Sequence, residues 1–289
     1  MKYCFLRFPE GKFKAITFSF DDGTRHDYRF VKTLDKYGIK GTFNICSGQL
    51  GKSNTDSRLT AEEIQEHILD KGHEVAVHGE FHTAPVLSRP VKAIQDVLND
   101  RLGLEKTFGI LIRGMAYPDV ALRNFQNGAN YETIREYLKD LGIVYARNIL
   151  PNNEAPSFSL PTDWYNWNAT VKHNHPQAAE YAHKFLALDQ NKLYCASRWP
   201  KLFMLWGHSF EFNNENNWEL LDELCEILGG HEDVWYATCM EIYEYVEAYN
   251  ALIFSADSTK VYNPTLLKIW FDVDGKLYSI ESGQTITIE

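Results

Sequence analysis

Residues 15–23 read AITFSFDDG and residues 73–82 read HEVAVHGEFH. Each is a short apolar run that stops on residues able to do chemistry. In the first, Ile16, Thr17, Phe18 and Phe20 are β-branched or aromatic and favour a strand, which Asp21-Asp22-Gly23 ends. The same unit recurs along the chain. Strands are expected at GTFNIC (41–46), HEVAVHG (73–79), GILIRG (109–114), IVYARNI (143–149), irregularly at FSLPTDW (158–164), at LFMLWGH (202–208) and at DVWYAT (233–238). Between them lie amphipathic stretches with helix signals. YRFVKTLDKYG closes on Gly38, and Thr60 stands three residues before Glu63 in a capping-box spacing. Strand–helix alternation over roughly 240 residues indicates a parallel α/β sheet. Runs apolar on both faces are those of buried parallel strands. The number and length of the units fit a closed or nearly closed (β/α) barrel of the TIM type, seven- or eight-stranded, better than an open doubly wound sheet.

The barrel is expected to occupy residues 1–250. The last stretch, 251–289, changes texture: ALIFSA, LLKIWFDVDGKLYSIE and TITIE are short β-runs, with Asp274-Gly275 as a hairpin turn. At this length it does not fold alone, so a small antiparallel β appendage packed on the barrel is expected.

Composition narrows the function. The 289-residue chain is 44% hydrophobic and 24% charged, the balance of a globular protein, and its net charge of −10 opposes sequence-independent nucleic-acid binding and docking on anionic lipid. Aromatics make up 14%, including 16 Tyr and 7 Trp, which suits either a sugar groove or an aromatic core. Five scattered cysteines (Cys4, Cys46, Cys195, Cys225, Cys239) with no C-x-x-C pair argue against a disulfide framework or a zinc knot. The N-terminal residues lack an apolar run of signal-peptide length, and no stretch of about 20 apolar residues exists to span a bilayer. A cytoplasmic chain is expected.

In parallel α/β folds the site lies at the carboxyl ends of the strands. There the sequence puts Asp21 and Asp22, then His78 and His82, then Arg113 running into Tyr117-Pro118. Asp163 and Trp167 follow on the irregular strand, and His208 on a later one. Neighbouring carboxylates on a strand end point to opposite sides, so one can meet a cation while the other faces substrate. A solvated Asp-Gly turn is the plain alternative. Histidines at i, i+4 can reach one ion, and with an aspartate from another strand they make a His-His-Asp facial set for zinc or another divalent ion. Two unrelated histidines are the plain alternative for that spacing alone.

The motif AITFSFDDG, followed about 55 residues later by HEVAVHGEFH, resembles the polysaccharide deacetylase family, carbohydrate esterase family four. The resemblance covers roughly residues 13–245. It implies a distorted (β/α) barrel that removes N- or O-acetyl groups from a sugar or glycan using one divalent metal ion: zinc first, with cobalt, manganese or nickel also accepted. It implies Asp22, His78 and His82 as metal ligands and Asp21 as general base. Arg113 would pair with that base, and the stretch Tyr117-Pro118-Asp119 would offer a backbone N–H to the oxyanion. In DWYNW, Asp163 and Trp167 match a further motif. His208 would be the general acid, oriented by Asp163. Tyr117, Asp119, Trp167 and Trp206 are the expected substrate contacts, and an acetylated sugar or oligosaccharide is the expected substrate. Glu211 also lies close enough to His208 in sequence to orient it. His173 and His175, in VKHNHP, read as polar loop residues or cleft lining. Two other readings stand beside this one: hydrolysis of a small non-sugar amide, as in allantoinase-like relatives, and a non-catalytic carbohydrate-binding relative. The latter would require loss of the base, ligands or acid, all of which are in place.

Overall fold

The computed structural model describes residues 3–52, 57–149 and 156–288; the side chains of Cys195 and Ala196 lie outside the described set. In chain order the elements are β1 (Cys4–Arg7), β2 (Lys14–Asp21), α1 (Asp27–Tyr37), β3 (Gly41–Ile45), α2 (Ala61–His67), β4 (Glu74–Val77) and α3 (Pro90–Phe108). Next come β5 (Gly114–Ala116), α4 (Tyr131–Asp140), β6 (Tyr145–Asn148), β7 (Trp167–Asn168), β8 (Val171–Lys172), α5 (Ala178–Leu186) and β9 (Lys201–Gly207). The chain continues through α6 (Ser209–Asn214), α7 (Trp218–Leu228), β10 (Val234–Tyr236) and α8 (Cys239–Asn250). It ends with β11 (Ile253–Phe254), β12 (Lys260–Tyr262), β13 (Ile269–Val273), β14 (Lys276–Ile280) and β15 (Thr285–Thr287).

The main sheet is parallel, in the order β7-β6-β5-β4-β3-β2-β9-β8. Its outermost strands follow one another in the chain, separated only by Ala169 and Thr170. Ala169 donates its N–H to the carbonyl of Asn148 beside β7, and Thr170 donates to Met204 of β9. The sheet therefore curls round until one segment, 167–172, touches both ends. β10 pairs with Lys14–Ile16, the lower part of β2, while β3 pairs with Phe18–Asp21, the upper part. The barrel is distorted at that point.

β2 shows why the sequence folds this way. All eight of its residues are buried. Ile16, Phe18 and Phe20 point out and join Phe30, Phe43, Phe212 and Leu221 in the layer beneath the helices. Each such side chain contributes about 2–3 kcal/mol by leaving water. Ala15, Thr17, Ser19 and Asp21 alternate inward, where polar groups meet polar partners: Ser19 Oγ accepts from Asn44 Nδ2 at 2.9 Å. At the barrel floor the first turn of α8 donates inward, Cys239 N–H to Thr42 Oγ1 and Met240 N–H to a Glu74 oxygen, each at 2.9 Å. Two helix ends fall where the sequence signals them. The Thr60–Glu63 capping box is formed in both directions, and Gly38 ends α1 in the left-handed region.

Two elements differ from the sequence reading. α3 runs on to Phe108 and is capped by left-handed Gly109, so the next strand begins at Gly114 rather than at Gly109. Residues 158–164 hold no strand beyond one bridge at Ser159. Asp163 instead caps a short 3-10 turn at Trp164–Asn166, and the strand follows at Trp167. After α8 the chain forms two small antiparallel sheets. One, β1-β13-β14, takes in the first strand of the protein, and the other is β11-β12-β15.

Candidate active site

Strand register sets the rim. Asp21 pairs with Asn44, Ile45 with Val77, Val77 with Met115, Ala116 with Arg147, and Phe20 with Gly207. The residues that end or follow these strands, Asp21, Asp22, His78, Arg147 and His208, therefore gather at one mouth.

Asp22 has a left-handed backbone (φ 84), which a short polar residue tolerates. Its N–H donates to the Asn44 carbonyl at 2.9 Å, and Arg58 donates to its own carbonyl at 2.9 Å. This bend turns the carboxylate toward the histidines. Asp22 Oδ1 lies 3.8 Å from His78 Nε2 and 3.5 Å from His82 Nε2. The two imidazoles come from a turn, not a helix: His82 N–H reaches the Gly79 carbonyl at 3.4 Å, and Gly79 sits at φ +81 where a Cβ would collide with Asp96. His78 Nδ1 stands 2.9 Å from the Ala116 carbonyl. A carbonyl only accepts, so Nδ1 carries the proton and Nε2 presents its lone pair. Burial pushes the His78 imidazole down to about 4, which keeps it neutral as a ligand must be.

One ligand atom from each of Asp22, His78 and His82 falls within 4.8 Å of the others, and both Asp22 Oδ1 and His78 Nε2 are buried without hydrogen-bond partners. Buried unpaired polar atoms are costly, and a divalent cation between them would satisfy both. The donor set of one carboxylate and two imidazoles fits such an ion.

Beside this set Asp21 is 3% exposed. Its carboxylate accepts from Asn44 Nδ2 at 2.8 Å and from Arg147 Nη2 at 2.7 and 2.5 Å. Burial works to raise its pKa, but Arg147, His78 and His208 outweigh it and hold the carboxyl below its ordinary value. His208 Nε2 faces Asp21 Oδ2 at 3.9 Å, and its Nδ1 faces Glu211 Oε2 at 3.4 Å. Trp206 walls this corner. Its ring lies 6.1 Å from that of His208 and 5.1 Å from the Arg147 guanidinium carbon.

The sequence-expected residues divide accordingly. Asp21, Asp22, His78, His82, His208 and Trp206 come together. Arg113 does not. It precedes β5, at the opposite end from the rim, and its guanidinium pairs with Glu244 of α8. The guanidinium on Asp21 belongs to Arg147, a lone cation in the apolar run IVYARNI, whose place in the run marks it as unusual without showing which end of the barrel it faces. Asp163 does not orient His208. It accepts from Tyr131 Oη, caps Tyr165 N–H at 2.9 Å and lies 3.8 Å from Arg135. Glu211 stands where that role requires a carboxylate. Tyr117 is buried and donates to the Tyr165 carbonyl at 2.8 Å. Trp167 is 2% exposed and packs edge-on against Tyr145 and Trp164. Neither aromatic side chain lines the mouth. Asp119 is exposed, with a left-handed backbone of φ 56.

The fold and its rim together define a parallel α/β barrel with an Asp-His-His set, a second buried aspartate and a lone histidine at its mouth. Residues 9–146 match the model of the polysaccharide deacetylase family. Three solved structures share the fold. A protein described as a polysaccharide deacetylase from Pseudomonas aeruginosa PAO1 is 13% identical, with a TM-score of 0.57 and coverage of 82% of this chain and 92% of that one. A protein of the same description from Mycobacterium smegmatis is 19% identical, with a TM-score of 0.56 and coverage of 85% and 94%. An allantoinase is 14% identical, with a TM-score of 0.52 and coverage of 82% and 91%. No curated protein matches the chain by sequence. Among the described residues no helix is long and apolar enough to cross a membrane.

Proposed function

We propose that the chain is a metal-dependent hydrolase that removes acetyl groups from a sugar or oligosaccharide, holding its cation on Asp22, His78 and His82. The observation that carries this reading is the pair of unpartnered buried ligand atoms, Asp22 Oδ1 and His78 Nε2, facing each other beside an ionised Asp21. The match of residues 9–146 to the polysaccharide deacetylase family supports the acetylated-sugar substrate. A divalent ion bound there, zinc before cobalt, manganese or nickel, supplies Lewis acidity toward the acyl oxygen and lowers the pKa of a coordinated water.

The chain's own residues do the rest. Asp21, kept ionised by Arg147, takes the proton of the attacking water. Asn44 holds the other side of that carboxylate at 2.8 Å and fixes its orientation. His208, across from Asp21, gives a proton to the departing amine or alcohol. For an amide this donation is required, because an amide anion is a very poor leaving group. Trp206 offers a ring face beside the acid for the apolar side of a sugar. General acid–base help of this kind is worth roughly two to four orders of magnitude.

The test is acetate release from a panel of N- and O-acetylated oligosaccharides, before and after treatment with EDTA. The expected result is acetate from at least one member, abolished by EDTA and restored by a divalent metal. Turnover of a cyclic ureide with no acetate from any sugar would replace this reading with small-amide hydrolysis on the same site.

A further inference from the structure

Behind His208 lies a cluster that the reaction above does not use. Glu211, in the first turn of α6, places Oε2 3.4 Å from His208 Nδ1 and 3.5 Å from His173 Nε2. Its other oxygen accepts from Lys172 Nζ at 2.6 Å. His173 is fully buried, with its ring 4.2 Å from Phe212 and 5.9 Å from Phe20. His208 Nδ1, Glu211 Oε2 and both nitrogens of His173 are buried and otherwise unpartnered. Three of these four atoms face one another, and none has another group to turn to. Gly207, the residue before His208, leaves no room for a Cβ beside the His173 ring. The backbone is thus cut to fit a buried imidazole.

We propose that Glu211 is the positioning carboxylate of His208 and that the buried His173 holds Glu211 in place, so that three residues act as one unit behind the proton donor. The inference rests on reading His208 as that donor. With Nδ1 of His208 donating to Glu211, Nε2 is turned toward Asp21 and the reacting bond. His173 donates its Nε2–H to the same oxygen, and Lys172 anchors the second. The carboxylate is then fixed from three sides.

The charged groups facing His208 are Glu211 from α6, Asp21 and Asp22 from the end of β2, and His173 from beyond β8. Burial pulls the His208 pKa down, but the carboxylates outweigh it and hold the imidazole above its ordinary value. His173 has no such surplus, and burial takes it down to about 4, so it is a neutral donor. Removing the Glu211 charge must therefore lower the His208 midpoint.

The experiment follows the His208 imidazole by NMR through a pH titration of the zinc-loaded protein, with the resonance assigned from His208→Gln. Glu211→Gln is expected to lower the midpoint by about one pH unit, a tenfold change in proton affinity, and to move the alkaline limb of kcat down with it while KM stays within twofold. His173→Phe keeps the ring volume and should lower the midpoint in the same direction. His173→Gln returns an N–H near the imidazole Nε2 position and should restore it. A His208 midpoint unchanged in Glu211→Gln, with an unchanged thermal melt, overturns the proposal. One unchanged in His173→Phe overturns the part given to His173. Should the wild-type protein release no acetate from any sugar, the functional reading fails while the titration still decides this inference.

Discussion

Asp21 has little meaning as a carboxylate alone. Three facts define it: it is buried, Arg147 Nη2 donates to both its oxygens, and His208 faces it. Remove Arg147 and burial is left to act, so the carboxyl pKa rises. If Asp21 is the base proposed above it works ionised, so Arg147→Met should move the acid limb of the pH profile of kcat/KM to higher pH. It should also cost about 3–5 kcal/mol of stability, as breaking a buried pair does. Arg113→Ala breaks only the partly exposed pair with Glu244, worth about 0.2–1 kcal/mol, and should leave the profile in place. Profiles of the two variants shifted in the reverse order would mean that Arg147 does not serve the base. That Asp21, Asp22, His78, His82 and His208 would gather at one mouth was legible in the sequence, because each ends or follows a strand. Arg147 was not, because an arginine within an apolar run gives no sign of which end of the barrel it faces.

At the scale of elements, the cause of that miss is the length of α3. A helix that stops five residues earlier would put Arg113 at the rim; one that runs to Phe108 leaves Gly109–Arg113 as the connection and starts the strand at Gly114. Periodicity marks that a helix exists more firmly than where it ends. The same helix has a second duty that its polar residues did not announce. Asp96 and Asp100, at i, i+4, brace the histidine turn. Asp100 accepts Ser47 N–H at 2.6 Å and His78 N–H at 2.9 Å, and Asp96 accepts Phe81 N–H at 3.2 Å and Thr83 Oγ1–H at 3.1 Å. Burial raises the Asp100 carboxyl to about 7. Asp100→Asn turns a donor against one of those N–H groups, so the unfolding free energy should fall by about 1–3 kcal/mol in a denaturant titration. Divalent-ion affinity should weaken by about tenfold or more, as when a ligand's support is lost. An unchanged affinity would mean that the turn holds its shape without α3.

For the whole molecule, the barrel was readable because strand and helix alternate so regularly, and its closure was not. The ring meets in 167–172, where β7 and β8 are two residues each, too short to register as strands by pattern. The appendage was readable as β-structure, but not its pairing with β1, because nothing local ties residue 4 to residue 273. What the curled sheet accomplishes is to bring the ends of β2, β4, β6 and β9 to one mouth, so that Asp21 stands beside the Asp22, His78 and His82 set. The central claim is this division of labour between two adjacent aspartates. It is tested most directly by the acetate-release rate of Asp21→Asn, with its metal content shown to equal that of the wild type. A full complement of metal and a rate lower by about a hundredfold or more are expected. A variant that keeps both its metal and its rate would contradict that claim.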